Sequence, residues 1–280
     1  MLQAPPIIAS SPAIPTETVG QDLALAMEQA TVLVAEPPGP GQRVNAAGFL
    51  VSDPMPDGTP RVVLVTAEHV FEHIPEDQLR LGLHTHNADG SWALSPQLLP
   101  LRSGGQPLWT RHPTRDIAVL AVQVPQEVAR QAIPIAWLGD ADTFARYGIG
   151  PGDEMTTLGF PDALGSSPLM FPILRVGRVA SYPLGPLSVE PGFLLDAAVT
   201  NGDSGGPVFL ARRRPSVPDR SPEPIVAGVL TQQITPRGEH IGLGMVTYAV
   251  FVREALQLLD APTPDQQPPG PPAPQPVSQP

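Results

Sequence analysis

The sequence predicts an all-β fold, a barrel or sandwich assembled from many short strands. Three observations carry this prediction. Pro (39) and Gly (26) are abundant in 280 residues while charged residues make up only 15%, punctuation that suits short strands and turns better than long helices. Strand-like apolar runs recur from Thr31 to Tyr248 with turn material between them. The regular alternation of strand and helix that builds a parallel sheet is missing.

The elements follow in chain order. Residues 1–18 are rich in Pro, Ser and Thr and are expected to be irregular. Gln21–Ala30 contains good helix formers and is expected to make a short helix that closes an N-terminal extension over 1–30. Strands are expected at Thr31–Ala35, Gly48–Val51 and Arg61–Thr66, separated by the turn segments PPGPG (37–41) and DPMPDG (53–58). The run IAVLAVQV after Asp116 (Ile117–Val124) reads as a strand buried on both faces. Further strands are expected at Glu154–Leu158, Arg175–Ala180, Pro207–Leu210, Ile225–Leu230 and Gly244–Tyr248. Val252–Leu259 has helical spacing and would close the domain. From Ala261 the composition changes: nine of the last twenty residues are Pro. Such a segment cannot build a core, and 261–280 is expected to be a disordered or polyproline-like tail, a passive linker before it is a docking ligand for a partner.

Bulk composition excludes several function classes. Apolar residues make up 41% of the chain, enough for a sizeable core. The net charge is −11, which argues against a general nucleic-acid binder and against docking on anionic lipid. All sixteen basic residues are Arg. There is no Cys, so disulfides, thiol catalysis and thiolate metal sites are excluded, and no metal or cofactor is invoked. No apolar run approaches the length of a membrane span. Pro5, Pro6, Pro12 and Pro15 interrupt the N-terminus, which does not read as a signal peptide. The location is accordingly left open between the cytoplasm and export with a signal removed.

One segment carries chemistry, Thr200-Asn-Gly-Asp-Ser-Gly-Gly-Pro-Val-Phe209. Glycines at 202, 205 and 206 let the chain turn tightly and let a substrate approach the backbone. Such a loop exposes the Ser204 hydroxyl and directs successive N–H groups into one small space, as an oxyanion hole requires. A serine is a weak nucleophile near pH 7 unless a base takes its proton, and the base must be held in the right tautomer by an acceptor. Of six His residues, His69 alone ends an apolar strand, in Val62-Val-Leu-Val-Thr-Ala-Glu-His-Val70; the other five lie in polar, loop-like stretches. Asp116 stands at the mouth of the buried strand in Arg115-Asp-Ile-Ala-Val-Leu120, where burying a carboxylate is costly unless it is hydrogen-bonded. An imidazole N–H is one such partner.

Together the three segments resemble the trypsin/chymotrypsin superfamily. T-A-E-H resembles its T-A-A-H motif, D-I-A-V-L its D-I-A-L-L motif, and G-D-S-G-G-P is the same as its serine motif; the order His, Asp, Ser also matches, with separations of 47 and 88 residues. Subtilisin-type and α/β-hydrolase enzymes, lipases and esterases among them, use other orders. The resemblance covers roughly residues 31–260. It implies two packed six-stranded antiparallel β-barrels, the first over 31–125 and the second, with the closing helix, over 141–260, joined by a linker at 126–140. The active site would lie in the cleft between them.

The same resemblance implies a serine endopeptidase acting on protein or peptide substrates. Ser204 would be the nucleophile, His69 the general base and then acid, and Asp116 the group that orients His69. The N–H groups of Gly202 and Ser204 would form the oxyanion hole. Thr231, in Gly228-Val-Leu-Thr-Gln232, stands where the family often has a Ser that supports the Asp. The pocket floor would be Ala198, with Val199 beside it, Thr231 near it and Gly244 on its wall leaving room for a larger apolar side chain. With no charge at that floor, selectivity is expected for uncharged residues of small or medium size; Asp196, two residues earlier, is expected to be structural. Asp203 pairs with a freshly cut amino terminus in zymogen-type relatives, but no Ile-Val-Gly-Gly site exists here, so an internal donor, an Arg or backbone N–H groups, is expected instead. Glu68 in place of a small residue, the lack of disulfides and the run Asp196-Ala-Ala-Val-Thr-Asn201 make the chain most like cysteine-free bacterial members of the Deg type. A catalytically silent interaction module on the same fold and a switched intracellular regulatory protease are the competing readings.

Overall fold

The computed structural model describes residues 16–38, 45–55, 59–161, 169–210 and 224–260. Of the start expected to be irregular over 1–18, residues 1–15 lie outside the described residues, as does the Pro-rich tail over 261–280, while 16–18 are helical. The helix expected from Gln21 begins earlier, so that α1 runs over Thr16–Ala30. It leads directly into β1 (Thr31–Ala35), followed by β2 (Asn45–Pro54), β3 (Pro60–Thr66) and the short helix α2 (Glu68–Glu72). Next come β4 (Gln78–His86) and β5 (Trp92–Pro100), the two-residue strands β6 (Arg102–Ser103), β7 (Gln106–Pro107) and β8 (Thr110–Arg111), and β9 (Ala118–Ala121). A connecting stretch holds α3 (Gln126–Ala129), β10 (Ile133–Pro134) and α4 (Thr143–Tyr147). The second half is built from β11 (Glu154–Gly159), β12 (Ile173–Val179), β13 (Gly192–Asp196), β14 (Pro207–Leu210), β15 (Ile225–Ile234) and β16 (Leu243–Tyr248), and α5 (Val250–Leu259) closes the fold.

The molecule is all-β in character, as the sequence predicts. Its second half is a closed six-stranded barrel in the order β11-β12-β13-β16-β15-β14, with every pairing antiparallel. The first half differs from the expected six-stranded barrel. Among the described residues it is an eight-stranded sheet in the order β5-β4-β1-β2-β3-β9-β8, with β10 paired in parallel to β2, and their hydrogen bonds do not close into a ring. The edges explain why. β5 carries Pro96 and Pro100, which have no N–H to offer a further strand. The opposite edge, β8, is two residues long, and the small β6–β7 hairpin occupies the chain between them.

The strands of the first sheet bury both faces, because successive side chains alternate across the pleat. Leu50 of β2 and Leu64 of β3 point into a core of their own with Val34, Phe71 and Leu81. Phe49, Val51, Val63 and Val65 point the other way, into a second core shared with Leu158, Val208 and Phe209 of the barrel, with Met27 of α1 and with Val252 and Leu256 of α5. One apolar core therefore runs across the junction of the halves and fixes β3, which leads to His69, against β14, which follows Ser204. No helix among the described residues is long and apolar enough to cross a membrane.

Phe49 is wholly buried in that shared core. Phe49→Ala is expected to lower the stability of the whole fold by about 3–5 kcal/mol, the usual cost of emptying such a site. The midpoint of urea unfolding, read by intrinsic fluorescence, checks it.

Candidate active site

His69 lies in the first turn of α2, directly after β3 has delivered the chain to the junction. Asp116 sits in the turn between β8 and β9, because the strand expected from Ile117 begins only at Ala118. The Asp116 carboxylate meets the N-terminus of α2 and the imidazole together. It accepts the His69 backbone N–H at 3.0 Å and faces His69 Nδ1 at 2.7 Å. An ionised carboxylate only accepts hydrogen bonds, so the ring proton sits on Nδ1 and leaves Nε2 as a free lone pair. Burial pushes the Asp116 carboxyl up, but the hydrogen bond and charge of His69, with the backbone N–H groups of His69 and Glu68, outweigh it. The net pKa falls below the ordinary value of 3.8. The Glu68 side chain reaches Arg111, 3.4 Å away.

The Asp116 turn is braced from α5. His112 Nε2 lies 2.9 Å from Glu254 Oε2, and its Nδ1 accepts the Thr114 N–H, which puts the ring proton on Nε2. The His112 ring packs edge-on against Phe251, and the Arg115 guanidinium lies over the face of the same ring. The C-terminal helix thus grips both ends of the segment His112–Asp116.

Ser204 is held at the junction by its own backbone. Its carbonyl accepts the Ala47 N–H from β2 at 2.8 Å, and Ala47 O in turn accepts the Thr66 hydroxyl at 2.7 Å. Gly205 stands between these groups with φ +87°, and a Cβ there would overlap Ala47 O and Thr66 Oγ1. Gly202 also has a positive φ, +94°. Among the described residues the N–H groups of Gly202 and Ser204 have no acceptor. No hydrogen bond joins Ser204 Oγ to His69 Nε2 among them either, and contacts of this kind commonly tighten only when substrate is bound. His69, Asp116 and Ser204 all line one open cleft of about 530 Å³.

Asp203 has the internal partners that the sequence predicts. Its side chain is 1% exposed, and Oδ2 lies 2.6 Å from Arg175 Nη1 and accepts the Thr200 N–H at 2.7 Å. The turn that precedes Ser204 is thereby tied to β12.

The pocket residues divide. Thr231 lines the cleft, but its hydroxyl does not support Asp116. It lies 3.1 Å from Thr247 Oγ1 and 3.4 Å from Met245 O, because the ladder between β15 and β16 is irregular between Leu230 and Gln232 and turns Thr231 toward β16. Ala198 is exposed and does not line the cleft; Val199 is buried. Gly244 lies in β16 opposite Gln233, with the side chains of Leu230 and Val199 packed against it, so the room expected beside it is already filled. Asp196 stays exposed on β13, away from the cleft. Sequence reasoning passed over Gln232, Gln233, Thr235 and His240, all of which line the cleft. The only signal for them was their place just after the Gly228-Val-Leu-Thr run.

A histidine oriented by a carboxylate, lining one cleft with a serine on a glycine turn at the junction of two β units, is the architecture of a trypsin-like peptidase. The chain belongs to the trypsin-like peptidase domain family, whose sequence model matches residues 46–214. No curated protein matches it. Among solved structures it is similar to the HtrA-type protease AlgW with a decapeptide, at 18% identity and a TM-score of 0.50, over 86% of this chain and 66% of that one. It is also similar to the Rv3671c protease from M. tuberculosis in its active form, at 18% identity and a TM-score of 0.49, over 94% of this chain and 96% of that one. The chain spans about two thirds of the AlgW chain, and the likeness is one of fold.

Two outcomes follow from the charges. Arg175→Met leaves the Asp203 carboxylate buried with backbone and hydroxyl donors only, and is expected to cost about 3–5 kcal/mol, the usual penalty for breaking a buried pair; the urea midpoint reads it. Asp116 has a lowered folded pKa, so its contribution to stability is complete above about pH 4 and fades as the pH falls through the folded value. The stability difference between the protein and its Asp116→Asn variant should therefore shrink as the pH falls below about pH 4, as measured by urea unfolding at each pH.

Proposed function

We propose that the chain is an active serine endopeptidase that works through an acyl-enzyme on Ser204. One observation carries the proposal most strongly: the Asp116 carboxylate engages both His69 Nδ1 and the His69 backbone N–H, so the imidazole is fixed in the tautomer whose Nε2 can take a proton, beside a cleft that Ser204 also lines. In the reaction His69 Nε2 removes the Ser204 proton as Oγ attacks the scissile carbonyl. The oxyanion that forms is received by the N–H groups of Gly202 and Ser204, which have no acceptor among the described residues. The imidazolium, stabilised by Asp116, then returns its proton to the leaving amine. Water attacks the acyl-enzyme by the same route, with His69 again as base. Peptide substrates suit an open cleft, and AlgW, similar in fold, is known with a decapeptide.

The test is covalent labelling by a fluorophosphonate probe, mapped by mass spectrometry. Modification of Ser204 is expected, and its loss in Ser204→Ala. Peptide hydrolysis should fall by roughly 10⁴-fold or more in Ser204→Ala and His69→Ala, since the triad acts as a unit, and by about 10⁴-fold in Asp116→Asn through the wrong tautomer. Near-normal turnover by any of the three would overturn the assignment, and chelation by EDTA should leave activity intact.

A further inference from the structure

We propose that Gln233 is a bar across the substrate pocket that confines the residue contributing the scissile carbonyl to small uncharged side chains, Ala, Ser or Val. This rests on the peptidase reading and names the substrate class of the same site. Gln233 Nε2 donates to Val199 O at 2.7 Å, bridging β15 and the segment that leads into the Gly-Asp-Ser turn. A carbonyl can only accept, so the orientation of the amide is fixed. Its nitrogen also lies 2.6 Å from His240 Nδ1. The amide nitrogen is a donor, which makes Nδ1 the acceptor and places the imidazole proton on Nε2. Both amide hydrogens are thus used, and the amide nitrogen is held by two hydrogen bonds rather than free to swing aside.

Beneath the bar there is no reserve of space. A Cβ added to Gly244 would come within 2.6 Å of Leu230 Cδ1 and 3.3 Å of Val199 Cγ2, so the hollow that a glycine ordinarily leaves is occupied by these two side chains. Val199 itself is 3% exposed and is held by the tight turn in which its N–H reaches Ala197 O at 2.7 Å. What remains open to substrate is walled by Thr200, Asn201, Thr231, Gln232, Gln233 and His240. Among the described residues that line the cleft the one carboxylate is Asp116, already engaged by His69, so an Arg or Lys side chain would be desolvated beside them without a partner. A large apolar side chain would have to displace the pinned amide and its two hydrogen bonds. A methyl or hydroxymethyl group makes no such demand.

The binding test uses the full chain with Ser204→Ala, so that no turnover intervenes, titrated calorimetrically with acetylated product peptides that differ only in a C-terminal Ala or Phe. The Ala-ended peptide is expected to bind more tightly by at least about 10-fold, given that even a single methylene is worth 10- to 200-fold in such pockets. Adding Gln233→Gly should bring the Phe-ended peptide level with it or ahead. His240→Ala, which removes one of the two hydrogen bonds, should shift the ratio the same way to a smaller extent and serves if Gln233→Gly fails to fold. Equal binding of the two peptides with Gln233 in place, a ratio unmoved by both variants, or no binding of either peptide would overturn the proposal. Failure of the peptidase reading shows separately: the protein with Ser204 in place escapes fluorophosphonate labelling while the Ser204→Ala variant still prefers the Ala-ended peptide.

Discussion

The Ala47 N–H to Ser204 carbonyl bond is the constraint on which the rest of the site depends. Ala47 belongs to β2 of the first sheet, and Ser204 to the turn before β14 of the barrel. This bond, together with the Thr66 hydroxyl on Ala47 O, fixes the serine relative to the end of β3, three residues before His69. The glycine at 205 is what permits the approach: a side chain of any kind at that point would hold the two halves apart. The shared core of Phe49, Val65, Leu158 and Phe209 supplies the driving force for docking the halves, but apolar burial is non-directional. Registration to the tolerance that proton transfer needs comes from hydrogen bonds of fixed length and direction.

A cysteine-free chain has to hold its functional loops with polar contacts, and here each loop has one placed on its own turn. The helix that carries His69 begins on the Asp116 carboxylate, which satisfies N–H groups that a helix start would otherwise leave open. The serine turn is tied by Asp203 to Arg175 and to the Thr200 N–H. The pocket side is tied by Gln233 to Val199 and His240. The Asp116–His69 and Asp203–Arg175 contacts join residues 47 and 28 positions apart and so fix tertiary geometry, while Asp203–Thr200 and Gln233–His240 hold local turns.

How much of this is legible in the sequence depends on how local the information is. His69, Asp116 and Ser204 each sit in a short run whose neighbours have local reasons to be there: an apolar strand end, the mouth of a buried strand, a glycine turn. The strands of the second half likewise announce themselves through β-branched runs, as in Ile225–Leu230. β4 and β5 do not. Gln78–His86 is interrupted by Gly82 and two histidines, and Trp92–Pro100 contains two prolines that only an edge strand tolerates. Thr231 is misjudged because an irregular ladder, invisible in sequence, redirects its hydroxyl to Thr247. Gln233 and His240 are silent for a similar reason, since their roles come from which loop lies opposite. The expected closure of the first half fails on a count of backbone donors at its edges, and single-strand patterns do not reveal that count.

The grip of α5 on the Asp116 turn also has a meaning in time. His69, Asp116 and Ser204 are all synthesised before Glu254 and Phe251, the residues that hold His112 and Arg115. A ribosome-bound chain that has already exposed the serine still lacks the helix that steadies the carboxylate turn. The order of synthesis thus places the last clamp of the site after its nucleophile, during the interval when the nearest unfolded peptide is the emerging chain itself.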